Sequence, residues 1–187
     1  MILPIRLYGD PILRKRCKEI DVSSSTISHF ITDMFDTMYQ AYGVGLAAPQ
    51  VGKNLRIFVI DTSTFIIDKE ENTYKRVFIN PEIVKIYGKT WNLKEGCLSF
   101  PDFLAKIERY ESIQVIYYNE NLEICEETFQ GLPARVIQHE YDHIEGKLFI
   151  DYLSFFKREI LNKRFKTLYQ GPLSIPYKIQ IPIKFIL

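Results

Sequence analysis

Five residues constrain this chain more than any others: His139-Glu140-Tyr141-Asp142-His143. Two histidines four apart belong on adjacent helical turns. At about 100° per residue they lie about 40° apart on one face. Both rings can then reach one cation, with Glu140 close enough to touch a water held there. The flanks punctuate a helix. Pro133 suits a first turn and Gly146 a C-terminal stop, which predicts a helix from about Pro133 to Glu145. Leu132 and Val136 share the histidine face and would wall a pocket, while Ile137, Tyr141 and Ile144 cover the other side. A helix apolar on most faces belongs in the interior.

The rest of the chain must supply what covers it. At 187 residues the length is that of one domain, sufficient for a core without staples. Ile27, Phe30, Ile31, Met34 and Met38 recur at helical spacing after the cap-forming cluster Ser23, Ser24, Ser25 and Thr26. With Gly43 as a stop, they predict a helix over 23–42, with His29 a surface or half-buried helix residue rather than a ligand. Runs rich in β-branched and aromatic residues predict strands at 55–61, 76–80, 82–87, 112–118 and 122–128. Asn119, Glu120 and Asn121 form the turn of a hairpin. A basic helix should run over 154–169, with Phe155, Phe156, Ile160, Leu161, Phe165 and Leu168 packed inward. Residues 1–22 read as extended or irregular. Pro172, Pro176 and Pro182 make 171–187 an extended tail, suited to an edge strand. Strands do not alternate with helices, so the class is α+β: antiparallel or mixed β-sheets packed around a central buried helix that carries the HExxH motif. Residues 1–170 form a single catalytic domain in this reading.

Composition removes several classes. Apolar residues are 47% and charged residues 25%, ordinary globular values. No apolar run approaches the ~18 residues of a membrane span, so no membrane partner is expected. Pro4, Arg6 and Asp10 interrupt any signal-peptide core, and a cytoplasmic location is expected. Three cysteines, Cys17, Cys97 and Cys125, are too few and too unevenly matched for a disulfide framework. Net charge is +1, but residues 154–187 hold seven basic groups and one acid, against 17 basic and 22 acidic groups in residues 1–153. A basic tail on an acidic body fits either an anionic partner or a solvated face.

A catalytic cation needs a third protein donor and an open position. No histidine follows His143. Asp151, Glu159 and Cys97 are the candidates. Glu159 would make the chain a zinc endopeptidase. Cys97 stands in Glu95-Gly96-Cys97-Leu98-Ser99, where Gly96 allows close backbone approach. The residue types alone leave this choice open.

Three segments, taken together and in this order, resemble peptide deformylase: Gly43-Val44-Gly45-Leu46-Ala47-Ala48-Pro49-Gln50, Glu95-Gly96-Cys97-Leu98-Ser99 and Gln138-His139-Glu140-Tyr141-Asp142-His143. The resemblance extends from the Gly9-Asp10-Pro11-Ile12-Leu13-Arg14 stretch to about residue 153. It implies a hydrolase that removes the formyl group from formyl-methionyl nascent polypeptides and releases formate. It also implies that Cys97, His139 and His143 hold one divalent metal. In many members this is Fe2+, and the donor set also admits Zn2+, Ni2+ or Co2+. Glu140 would serve as general base and acid. The Gln50 amide and the Leu98 N–H would meet the oxyanion. Gly43, Val44 and Gly45 would pair with substrate backbone in strand fashion. Val44, Leu132 and Val136 are the candidates for an apolar slot around the methionine side chain. Arg135 reads as an ion-pairing residue, and Asp142 as a buried carboxylate partnered by Arg109. Some members dock a C-terminal helix on the ribosome, which makes 154–169 a candidate for that contact. A non-enzymatic relative that binds peptide ends or ribosomes without turnover is the remaining rival; intact Glu140, Cys97 and Gln50 speak against it.

Overall fold

The computed structural model describes residues 1–22, 27–63 and 73–182. In chain order these hold β1 (Ile5–Arg6), α1 (Ile27–Gln40), β2 (Gly45–Ala47), β3 (Ile57–Asp61), β4 (Lys75–Cys97) and β5 (Phe100–Tyr118). They are followed by β6 (Ile124–Gln130), α2 (Leu132–Ile144), α3 (Phe155–Leu168) and β7 (Ile179–Gln180). Five strands form one antiparallel sheet in the order β2-β3-β4-β5-β6, and β1 pairs with β7 in parallel. This is the α+β class the sequence predicts.

β3 explains the layering. All five of its residues are buried, because neighbours on a strand face opposite sides and both sides are covered. Phe58 and Ile60 enter a cluster with Ile137 and Ile144 of α2. Ile57 and Val59 enter another with Ile31, Met34 and Met38 of α1. A strand covered on both faces reads as a continuous apolar run, which is how 55–61 reads. A third cluster gathers Leu7, Phe100, Phe149, Leu161 and Phe165, and ties α3 to the start of β5. Of the 13 residues of α2, 11 are buried.

Several elements differ from expectation. The runs 76–80 and 82–87 are parts of one bent 23-residue strand, whose register against β5 shifts at Ile79/Glu82, Ile83/Lys85 and Tyr87/Thr90. Its far half, and most of β5 before residue 112, carry Lys89, Thr90, Asn92, Lys94, Lys106 and Glu108 at exposed or half-exposed positions. Pairing, rather than side-chain burial, keeps the β4 arm extended, whereas on the β5 arm alternate side chains, Ala105, Ile107 and Arg109, are buried. The cap cluster 23–26 lies outside the described residues. At the other end of α1 the left-handed residue is Tyr42 (φ 57°), one before the expected Gly43. On α3, Leu161 and Phe165 are buried as expected, but Phe155, Phe156 and Ile160 are 63%, 79% and 67% exposed. Among the described residues, the third cluster takes in Leu161, Phe165 and Leu168 of that helix but none of Phe155, Phe156 and Ile160. The extended tail has its edge pairing in β7, within the described part that ends at residue 182.

Candidate active site

Two elements bring the predicted donors together. Cys97 ends β4, and His139 and His143 share one face of α2, which packs under the sheet. Ligand atoms of the three residues all lie within 4.8 Å of one another, the cysteine half-buried and both histidines buried. The Cys97 Sγ is 3.2 Å from His143 Nε2. One soft sulfur and two imidazoles at this spacing suit a four-coordinate divalent metal with one position left open. Burial lowers the pKa of His143, which keeps a neutral, ligating imidazole. The rival donor Glu159 is exposed and accepts a hydrogen bond from Asn162. It takes no part in the cluster, and the peptidase arrangement fails on that observation.

Glu95 organises the site from behind, a role the sequence did not show. Its carboxylate accepts from His139 Nδ1 at 3.0 Å, leaving Nε2 for the site. It also accepts two bonds from Arg109 at 2.8 and 3.1 Å and one from Arg135 at 2.9 Å. Burial works against the charged form of Glu95. The hydrogen bonds from His139 and Arg109 outweigh it and hold the pKa well below the usual carboxylate range. Asp142 meets Arg109 at 2.7 Å, as expected, and accepts from the Tyr152 hydroxyl at 3.0 Å. Arg135 is buried, donates to the carbonyls of Ile107 and Trp91, and stacks 4.3 Å from the Trp91 ring centroid. The only signal for Glu95 was its place two residues before Cys97.

Glu140 faces the other way, toward β2. A Cβ at Gly45 would collide with its Oε1 and lie 2.8 Å from its Cδ, so only glycine leaves room for the carboxylate there. Its Oε2 is buried with no hydrogen-bond partner among the described residues. Burial pushes the pKa of Glu140 up to about 7. Gln50 is buried, its Oε1 accepting from Ala47 N at 2.8 Å. That fixes its Nε2 3.5 Å from Cys97 Sγ and 3.4 Å from Ser99 Oγ. A Cβ on Gly43 would lie 2.9 Å from Leu98 Cδ1, so the two loops meet edge to edge. Val44 and Val136 belong to the α2 cluster, and Leu132 is half-buried at the first turn of α2.

Known proteins resemble this chain in sequence and in fold. A family model for polypeptide deformylase matches residues 2–159. The chain belongs to the peptide deformylase family. A peptide deformylase of Christiangramia forsetii is 45% identical, with 97% of each chain covered. One of Cytophaga hutchinsonii is also 45% identical, over 98% of this chain and all of its own. Among solved structures, the peptide deformylase of Legionella pneumophila matches with a TM-score of 0.80 and 40% identity, over 92% of this chain and 100% of that one. That of Ehrlichia chaffeensis in complex with actinonin matches at 0.84 and 37%, over 91% and 99%. Peptide deformylases are metalloenzymes, and the reaction is removal of the formyl group from nascent peptides, a hydrolysis within protein biosynthesis. No helix among the described residues is long and apolar enough to cross a membrane.

Proposed function

We propose that Cys97, His139 and His143 hold one divalent metal, Fe2+ in the cell, with Zn2+, Ni2+ or Co2+ able to replace it, and that Glu140, Gln50 and Leu98 carry the catalysis. The observation that carries this reading is the convergence within 4.8 Å of the Cys97 thiol from β4 and two imidazoles from the helix that also bears Glu140. A divalent cation there supplies Lewis acidity and lowers the pKa of water. Glu140 takes a proton from the attacking water and passes it to the leaving amine; its unpartnered Oε2 supports that role. As the formyl oxygen gains charge, the Gln50 amide and the Leu98 N–H donate to it, and the bond from Ala47 that fixes Gln50 supports its part. Gly43, Val44 and Gly45 offer backbone to the substrate as an added strand. Val44, Leu132 and Val136 wall the methionine slot. Residues 1–170 act as one catalytic domain carried by the α2 helix at its centre, and 171–187 as an extended tail.

The test is formate release from formyl-Met-Ala-Ser by enzyme loaded anaerobically with Fe2+, beside cleavage of unformylated casein. Formate without casein cleavage is expected, and casein cleavage without formate refutes the reading. Glu140→Gln should keep the metal and lose turnover. Near-normal activity in that variant excludes Glu140 as the base.

A nascent-chain substrate makes the cytoplasm the location we assign. It also suggests the ribosome as a partner through residues 154–169. Exposed Lys157, Lys163 and Lys166 beside Phe155, Phe156 and Ile160 support that contact. Co-sedimentation with ribosomes at low and high salt should weaken when Lys157, Arg158, Lys163, Arg164 and Lys166 are reversed in charge. Equal sedimentation rejects it.

A further inference from the structure

The turn between β4 and β5 consists of Leu98 and Ser99, and both of its carbonyls are gripped by residues far away in sequence. The Ser99 carbonyl accepts from Tyr8 N at 2.8 Å. The Leu98 carbonyl accepts from the Tyr177 hydroxyl at 2.8 Å. The two tyrosines come as one unit. Tyr8 follows β1, Tyr177 precedes β7, and the two strands pair Ile5 with Ile179. Backbone bonds from Ile5 N to Lys178 O (2.9 Å) and from Leu7 N to Gln180 O (3.3 Å) hold them together. The unit is anchored, since Leu173, Ile175, Ile179 and Ile181 alternate inward onto the cluster of Leu7, Phe100 and Phe165.

This grip bears on several reacting groups together. Ser99 Oγ is a partner of the Gln50 amide, Cys97 adjoins the turn, and Leu98 itself carries the N–H assigned to the oxyanion. A peptide has two soft dihedrals per residue. The Leu98 carbonyl belongs to the Leu98–Ser99 peptide plane, so the Tyr177 bond fixes that plane directly. With the Ser99 carbonyl also held and Cys97 paired with Phe100, the two-residue turn loses the freedom in which the Leu98 N–H could swing. A phenylalanine ring would fill the same space and leave the Leu98 carbonyl without its donor. We propose that Tyr177 is a positioning residue for the deformylase reaction, holding the Leu98–Ser99 turn and with it the Leu98 N–H. This rests on the assignment of that N–H to the oxyanion. Tyr177 lies beyond residues 2–159, the span the family model matches, so the device belongs to this chain's C-terminal segment.

The test is Tyr177→Phe in the full-length, metal-loaded enzyme, with Ser174→Ala on the outward side of the same segment as control. An oxyanion donor acts in the transition state, so kcat should fall about tenfold and KM stay within about twofold. Metal content should be unchanged. Amide hydrogen exchange should quicken in residues 97–100 and nowhere in α2. The control should match wild type. Unchanged kcat with unchanged exchange overturns the proposal alone. Unchanged kcat with faster exchange removes the Leu98 N–H from the reaction, and the proposal with it. A raised KM at constant kcat makes the segment a substrate contact instead, and loss of metal makes it a structural prop; either result overturns the proposal. Absence of formate release by wild type would instead overturn the reading of the site.

Discussion

Glu95 receives hydrogen bonds from two arginines and a histidine, and a neutral amide cannot replace it. Glu95→Gln leaves Arg109 and Arg135 buried without their shared anion, and breaking a buried pair this way costs about 3–5 kcal/mol. The same change frees the His139 ring, so metal affinity should fall about 10–100-fold. Urea unfolding and a metal titration measure the two losses separately. Gly45→Ala tests the opposite side of the site. The new Cβ would displace the Glu140 carboxylate, and a shift near 1 Å there should cost about 10²-fold in kcat with metal content intact, measured by formate release and elemental analysis. Much of this was legible. Paired histidines four apart declare themselves by residue type, Cys97 stood out from Asp151 and Glu159 only through the three-segment resemblance, and a carboxylate on a buried helix needs a cation, which led to Arg109 for Asp142. Glu95 was silent because nothing in a sequence says which of 23 acidic residues will be buried between two arginines.

Between elements, polar contacts fix how the layers meet. Tyr39 of α1 donates its hydroxyl to Asp61 of β3 at 2.5 Å. Burial opposes ionisation of Asp61, but bonds from Ser63 and Tyr39 outweigh it and lower the pKa. A carboxylate depressed on folding adds stability above its unfolded pKa of about 3.9 and loses it as pH falls through the folded value. Tyr39→Phe should therefore move acid unfolding to higher pH and cost about 1–2 kcal/mol at neutrality, read by circular dichroism across pH 2–7. Helices were readable at this scale because apolar period and the flanking proline and glycine mark them. The long arms of β4 and β5 were not. Lys89, Asn92 and Lys94 look like loop residues, and only the facing arm makes them strand.

Across the whole molecule, the buried members of three apolar clusters include none of the proposed metal donors. Chelated protein should therefore stay folded. Metal at 100-fold above its Kd adds about 2.7 kcal/mol, or about 5–10 °C in Tm for a chain of this size, measurable by calorimetry before and after chelation. Unfolding on chelation would mean that the cation is structural. The parallel pairing of β1 with β7 has a consequence in time. A chain leaves the ribosome N-terminus first, so Ile5, Cys97 and His143 are all made before Tyr177 and Ile179. A copy made as far as residue 143 owns all three proposed metal donors but not the residue proposed to steady the turn beside them. Activity arrives with the last stretch of translation, and a copy cut short before residue 177 is born slow.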